Sequence, residues 1–148
     1  MRAVITRVNE ASVTIGGQET ARIGKGFLVL LGVHVSDTEA EADRIVDRIC
    51  GLRVFEDANG KMNVNPMDAG AASILLISQF TLFADCKSRR PGFSKAARPE
   101  KAIPLYEKVI ALCREKGFEV QTGEFGADML VASENDGPLT ILLDTNEL

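Results

Sequence analysis

The chain alternates from its first residues. Val4, Thr6 and Val8 fall on one side of an extended backbone and Ala3, Ile5 and Arg7 on the other, which predicts a strand over 2–8. Residues 11–15 and 18–23 flank Gly16-Gly17, a two-residue hairpin signal. The stretch 27–35 is apolar almost without a break, despite Gly32 and His34, and predicts a buried strand. Ser36-Asp37-Thr38-Glu39 then has capping-box spacing, so a helix is expected to open there, with Ile45, Val46, Ile49 and Leu52 as its apolar stripe. Residues 52–55 and 62–64 surround the turn Asp57-Ala58-Asn59-Gly60, and 74–83 reads as one long strand. A second helix opens near Pro99, turns Leu105, Tyr106, Val109, Ile110 and Cys113 inward, and stops before Gly117. Pro104 either kinks it or delays its start. Strands over 118–122, 129–133 and 139–143 complete the pattern. The fold class is α+β: a mostly antiparallel, barrel-like sheet with two main helices in a single domain, 1–148.

Composition sharpens this picture in three places. Cys50, Cys86 and Cys113 are odd in number and form no CxxC pair, so reduced thiols are expected. No apolar run nears the ~20 residues that span a bilayer, and the chain enters its first strand with no signal-like segment, so a cytoplasmic protein without a membrane partner is expected. The net charge of −4 is unevenly spread. Residues 87–101 hold Lys87, Arg89, Arg90, Lys95, Arg98 and Lys101 against the single acid Glu100, a net +5 that leaves −9 for the rest. One basic segment on an acidic body suits local capture of a polyanion. An ordinary solvated loop has the same composition, and charge alone does not separate the two.

Reactive side chains are scarce. The only histidine, His34, sits inside the apolar 27–35 run, where a structural role is expected. No G-x-S-x-G elbow surrounds a serine, and one histidine with scattered thiols gives no metal-ligand spacing, so neither a metal nor a cofactor is expected. Gly24-Lys25-Gly26 lacks the rest of a dinucleotide loop and reads as a turn. Two stretches stand out instead. Ser78-Gln79-Phe80-Thr81 places polar groups on what should be a core strand, where they must be paired or face a cavity. Asn135-Asp136-Gly137-Pro138-Leu139-Thr140 reads locally as a turn before a strand; the isomer of its Gly-Pro bond cannot be read from the dipeptide.

Together these stretches resemble the D-aminoacyl-tRNA deacylase (D-tyrosyl-tRNA(Tyr) deacylase) family over essentially the whole chain. The two signature motifs are the Ser78 and Asn135 stretches just quoted. Similar too are Arg7-Val8-Asn9-Glu10-Ala11-Ser12-Val13, Asn59-Gly60-Lys61-Met62-Asn63, Phe93-Ser94-Lys95, Thr122-Gly123-Glu124-Phe125 and Ala127-Asp128-Met129.

The resemblance implies hydrolysis of the ester between a D-amino acid and tRNA, with mischarged glycyl-tRNA also accepted. It implies a homodimer in which a cis Gly137–Pro138 loop of one protomer enters the partner's pocket beside Ser78, Gln79, Phe80 and Thr81. The loop's two carbonyl oxygens would tolerate a D-configured or hydrogen substituent and clash with an L side chain. Arg7 would orient the loop and Met129 would line the substrate site. Backbone N–H groups at Gln79 and Phe80 would hold the oxyanion while the tRNA 2′-hydroxyl activates water. A competing reading makes Thr81 a nucleophile, although no base is in sight. Lys87, Arg89, Arg90 and Lys95 would hold phosphates of the aminoacylated acceptor end, with no DNA partner. Two rivals share these residues: a non-catalytic RNA-binding module, and a hydrolase of another activated ester using Ser78 or Thr81.

Overall fold

A computed structural model describes all residues, 1–148. Strand β1 (Arg2–Ile15) runs unbroken through the segment expected as two strands, and it is the spine of the molecule. The Gly16-Gly17 turn, with φ +58° and +79°, leads into β2 (Gln18–Ile23) as the sequence suggests. β2 pairs antiparallel with the second half of β1, and β3 (Gly26–Gly32) with the first half. Both elements lie on the same side of β1. The whole other side of β1 pairs antiparallel with β8 (Leu130–Asp144), one long strand where two were expected.

Beyond β3 the sheet is parallel, which the alternation of the sequence does not reveal. β3 pairs with β6 (Ser73–Ser78), and β6 with β7 (Glu119–Thr122). The sequence carries the physical cause, because both faces of β3 and β6 are covered and both therefore read as continuous apolar runs. Phe27, Val29, Leu31, Ile74 and Leu76 face one apolar layer, while Leu28, Leu75 and Ile77 face the other. The sheet curls until β2 approaches β6 and β7, giving a nearly closed, barrel-like wall. A short hairpin of β4 (Phe55–Glu56) and β5 (Met62–Val64) lies apart from it.

Two helices cover the outer layer. Helix α1 (Glu39–Gly51) is capped by Thr38 with Glu41, two residues later than the expected Ser36 and Glu39. The shift follows from Asp37, whose carboxylate is buried and accepts from both the Met1 ammonium and the His34 amide. α1 buries Ala42, Ile45, Val46 and Ile49. Helix α2 (Pro99–Glu115) buries Ala102, Leu105, Tyr106, Val109 and Cys113. Pro104 lies inside it without ending it. It sits on the exposed flank near the N-terminus, so the missing N–H frees only a carbonyl that water can reach. The Tyr106 hydroxyl donates to the Leu76 carbonyl at 2.7 Å, and burial pushes its pKa up to about 12. No helix is long and apolar enough to cross a membrane.

Candidate active site

β6 does not run to residue 83 as the apolar pattern suggests. It ends at Ser78, and Phe80–Phe83 forms a single 3-10 turn. Gln79 makes the junction: its amide donates to the Leu31 carbonyl at 2.7 Å, adding one last rung to the β3–β6 pairing before the chain turns. Three neighbours hold the turn from behind. Phe83 is buried, with the Arg2 guanidinium 4.7 Å from its ring centre and His34 edge-on at 5.1 Å. Arg2 also donates to the Leu82 carbonyl at 3.0 Å and to Asp144 at 2.8 Å. Burial alone would raise the Asp144 carboxyl, but hydrogen bonds from Arg2 and the Asn146 amide hold it below the usual carboxylate range. Gly32 lies directly beneath, where an added Cβ would stand 3.0 Å from Leu82 Cβ and 3.1 Å from the Gln79 oxygen.

The outward side of this turn forms one wall of a cavity of about 280 Å³. Ile77, Ser78, Gln79 and Phe80 line that wall, and Phe125, Gly126, Ala127, Asp128, Met129 and Val131 line the other. Met129 fits because residue 123 is glycine; a Cβ there would lie 2.5 Å from its sulfur. The structure thus gathers Ser78, Gln79, Phe80 and Met129, with Thr81 just outside the lining. The amides of Phe80 and Thr81 open the 3-10 turn and have no partner within it. The two-amide expectation therefore changes: Phe80 has an amide to offer, whereas that of Gln79 is committed to Leu31. The Thr81 hydroxyl accepts from the Gln79 side-chain amide at 2.6 Å, and no base touches it. His34 is occupied elsewhere, its Nδ1 lying 2.8 Å from Ser36 Oγ.

The second motif is built differently. Along β8, Thr140 pairs with Thr6 and Asn135 with Val8, so four residues, Asp136 to Leu139, bulge out opposite the single residue Arg7. The Asn135 side chain closes the neck, accepting from the Leu139 amide at 2.8 Å and donating to Thr140 Oγ1 at 3.1 Å. Arg7 fills the base. Its guanidinium is buried, donates to the carbonyls of Asp136 and Val54, lies 3.4 Å from the Asp136 carboxylate and stacks toward Phe55. Gly137 crosses directly over it at φ +129°, in the region that favours glycine, and the Gly137–Pro138 bond is cis. Both residues of that bond are exposed, and neither lines the cavity of its own chain.

The basic segment is a third unit. Asp85 and Gly92 exchange two backbone hydrogen bonds, 2.7 and 2.9 Å, closing a loop that carries Lys87, Arg89 and Arg90; Lys95 follows. All four are exposed and none pairs with an acid. Phe93 ties the loop to the cavity rim by an edge-on contact with Phe80, ring centres 5.0 Å apart. Sequence reasoning missed Arg2, Gly32 and Val54, whose partners lie far away along the chain, and it did not assign Phe125 or Asp128 to the lining.

A family model described as D-Tyr-tRNA(Tyr) deacylase matches residues 4–144. The D-aminoacyl-tRNA deacylase of Thermus aquaticus is 52% identical over 148 residues, covering 99% of this chain and 97% of that protein. The enzyme of that name from Clostridioides difficile (strain 630) is 51% identical and covered to 99% on both sides. Among solved structures, c-Myc DNA Unwinding Element Binding Protein superposes with a TM-score of 0.91 at 42% identity, over 97% of this chain and 98% of its own. A probable eukaryotic D-amino acid tRNA deacylase shares the fold, with a TM-score of 0.83 at 15% identity over 96% and 97% of the two chains. With half-identical relatives matched end to end, the chain belongs to the D-Tyr-tRNA(Tyr) deacylase family.

Proposed function

We propose that this protein hydrolyses the ester bond of D-aminoacyl-tRNA, and of mischarged glycyl-tRNA, in the cytoplasm, and that it does so as a homodimer. The observation that carries the reading, beyond family membership, is a cavity lined by Phe80, whose amide has no partner within the 3-10 turn, with no hydrogen-bonded nucleophile–base pair among its lining residues. An aminoacyl ester has a good leaving group and a neighbouring ribose 2′-hydroxyl. Such a substrate needs orientation and a donor for the developing oxyanion; one such donor is worth on the order of 10²–10³ in rate. The Phe80 amide is that donor, and the 2′-hydroxyl of the tRNA activates the water. Ser78 and Gln79 shape the wall, and Met129 bounds the amino-acid side.

Selection by handedness comes from the Gly137–Pro138 loop. It stands away from its own cavity, on a strand whose outer edge is unpaired in the single chain. That edge carries Leu130 and Leu142, 75% and 63% exposed, a flank that favours coverage by a second copy. In the dimer the loop of one protomer enters the partner's cavity, and its carbonyl oxygens exclude L side chains.

The test is ester loss from matched D- and L-aminoacyl-tRNA. D-aminoacyl-tRNA should be consumed and L-aminoacyl-tRNA spared; binding of tRNA with no ester loss would sink the reading in favour of an RNA-binding module. Thr81→Ala should keep near-full turnover, because its hydroxyl has no base. Retained turnover in T81A would exclude the covalent route, whereas activity on free D-amino-acid esters and inactivation by serine-directed reagents would favour a hydrolase that uses Ser78 or Thr81. Lys87, Arg89, Arg90 and Lys95 hold acceptor-end phosphates without reading sequence. Neutralising Arg89 and Arg90 together should weaken tRNA binding and flatten its dependence on salt, by a slope of roughly 0.7–0.9 for each phosphate left without its cation. Unchanged affinity across a salt titration would remove the loop from the interface.

A further inference from the structure

On the far side of the core, α1 and α2 bring two thiols together that the proposed chemistry does not use. Cys50, in the last turn of α1, and Cys113, near the end of α2, are 63 residues apart in sequence, yet their sulfurs lie 3.9 Å apart. Cys113 is fully buried; Cys50 is on the boundary and lines a cleft of about 290 Å³ with Asp47, Asn65, Met67 and Lys116. Of the two, only Cys50 borders space that a small solute can enter. We infer that Cys50 and Cys113 are a peroxide-reactive dithiol, Cys50 being the attacked thiol and Cys113 the resolving one.

The chemistry balances with a hydroperoxide as the oxidant. The Cys50 thiolate attacks one peroxide oxygen, an S–O bond forms, the O–O bond breaks, and the second oxygen leaves as hydroxide that takes up a proton. Cys113 then attacks the Cys50 sulfur, the S–S bond forms, and the S–O bond breaks with loss of water. Two thiols are oxidised and one hydrogen peroxide is reduced to two waters. The sulfurs need close only about 2 Å further to reach bonding distance. The asymmetry of the pair fits these roles. The hydrogen bond shared with Cys113 pulls the Cys50 thiol down against its burial, with Lys116 assisting and Asp47 opposing, while the same hydrogen bond and burial push Cys113 up. The thiol with the lowered pKa is thus the one that borders the cleft, as the first step requires.

The experiment treats the wild-type protein with hydrogen peroxide, alkylates it with N-ethylmaleimide under denaturing conditions, and maps the cysteines by mass spectrometry. The expected result is loss of two hydrogens in mass, alkylation at Cys86 only, and a dithiothreitol-reversible cross-linked peptide joining Cys50 to Cys113. In Cys113→Ser the first step should proceed and the second stop, leaving a sulfenic acid at Cys50 that dimedone traps. Three alkylated thiols after peroxide, oxidation confined to Cys86, or a disulfide that includes Cys86 would each overturn the inference. The wild-type measurement stands even where the serine variant fails to fold.

Discussion

Gly137→Ala should reduce deacylation of D-aminoacyl-tRNA by at least about a hundredfold while leaving a folded protein. Two independent features of the loop require this. At φ +129° an L side chain is strained, which costs about 1–3 kcal/mol. The new Cβ would also stand 2.8 Å from Arg7 Nη2 and 3.3 Å from the Leu139 amide nitrogen. Arg7 cannot retreat, because its guanidinium is buried and already engaged with the Asp136 and Val54 carbonyls. The loop must therefore move, and a displacement of about 1 Å in a positioning element is enough for a loss of that size. Single-turnover rates on D-aminoacyl-tRNA, with circular dichroism on the same samples, decide it. Parental turnover in G137A would show that the loop has no part in the chemistry. Pairing G137A with Arg7→Ala adds an internal check: with the clash removed only the backbone strain remains, so the alanine should cost less in the R7A background than in the parent.

Gly26→Ala should give the largest loss of stability among the glycines. A Cβ at this position would sit 2.0 Å from the Ser73 carbonyl oxygen, 2.8 Å from its carbon and 3.2 Å from the Ala71 oxygen. All three are backbone atoms leading into β6, so no side chain can swing aside. Relief requires prising β3 from β6 at the Phe27–Ile74 rung, where both strands are buried on both faces. The expected cost is about 3 kcal/mol or more, a large share of the roughly 5–15 kcal/mol that keeps a domain folded. Gly24→Ala, two residues earlier with nothing within 4 Å of the new methyl, should stay within about 0.5 kcal/mol of the parent. Urea midpoints of the two variants measure the contrast; equal midpoints would refute the packing argument.

Local chemistry in the chain was readable, and remote geometry was not. The Gly16-Gly17 hairpin, the apolar stripes of α1 and α2 and the bracketing of β4 and β5 follow from turn residues and periodicity alone. The end of β6 does not. Phe80, Leu82 and Phe83 look like more strand, and what converts them to a turn is Arg2 on the Leu82 carbonyl and the bare surface of Gly32, both remote in sequence. The parallel pairing of β3 with β6 is equally non-local. The doubly buried runs hint at it, but alternation cannot name the partner strand. For the site, the family resemblance located the two motifs, and Ser78, Gln79, Phe80 and Met129 do meet in one cavity. It did not reveal that the Gln79 amide was already spoken for by Leu31, because that acceptor is set by strand register.

Arg2, which clamps the cavity turn, and Arg7, which seats the projecting loop, are five residues apart on β1, a span of roughly 17 Å along a stiff extended backbone. On the proposed reading, the cavity and the loop are thus both gauged from a single ruler rather than from the connections between them. Errors in the intervening segments do not accumulate, and two such rulers laid side by side by symmetry would bring each wedge to its slot with the accuracy of a ladder rung.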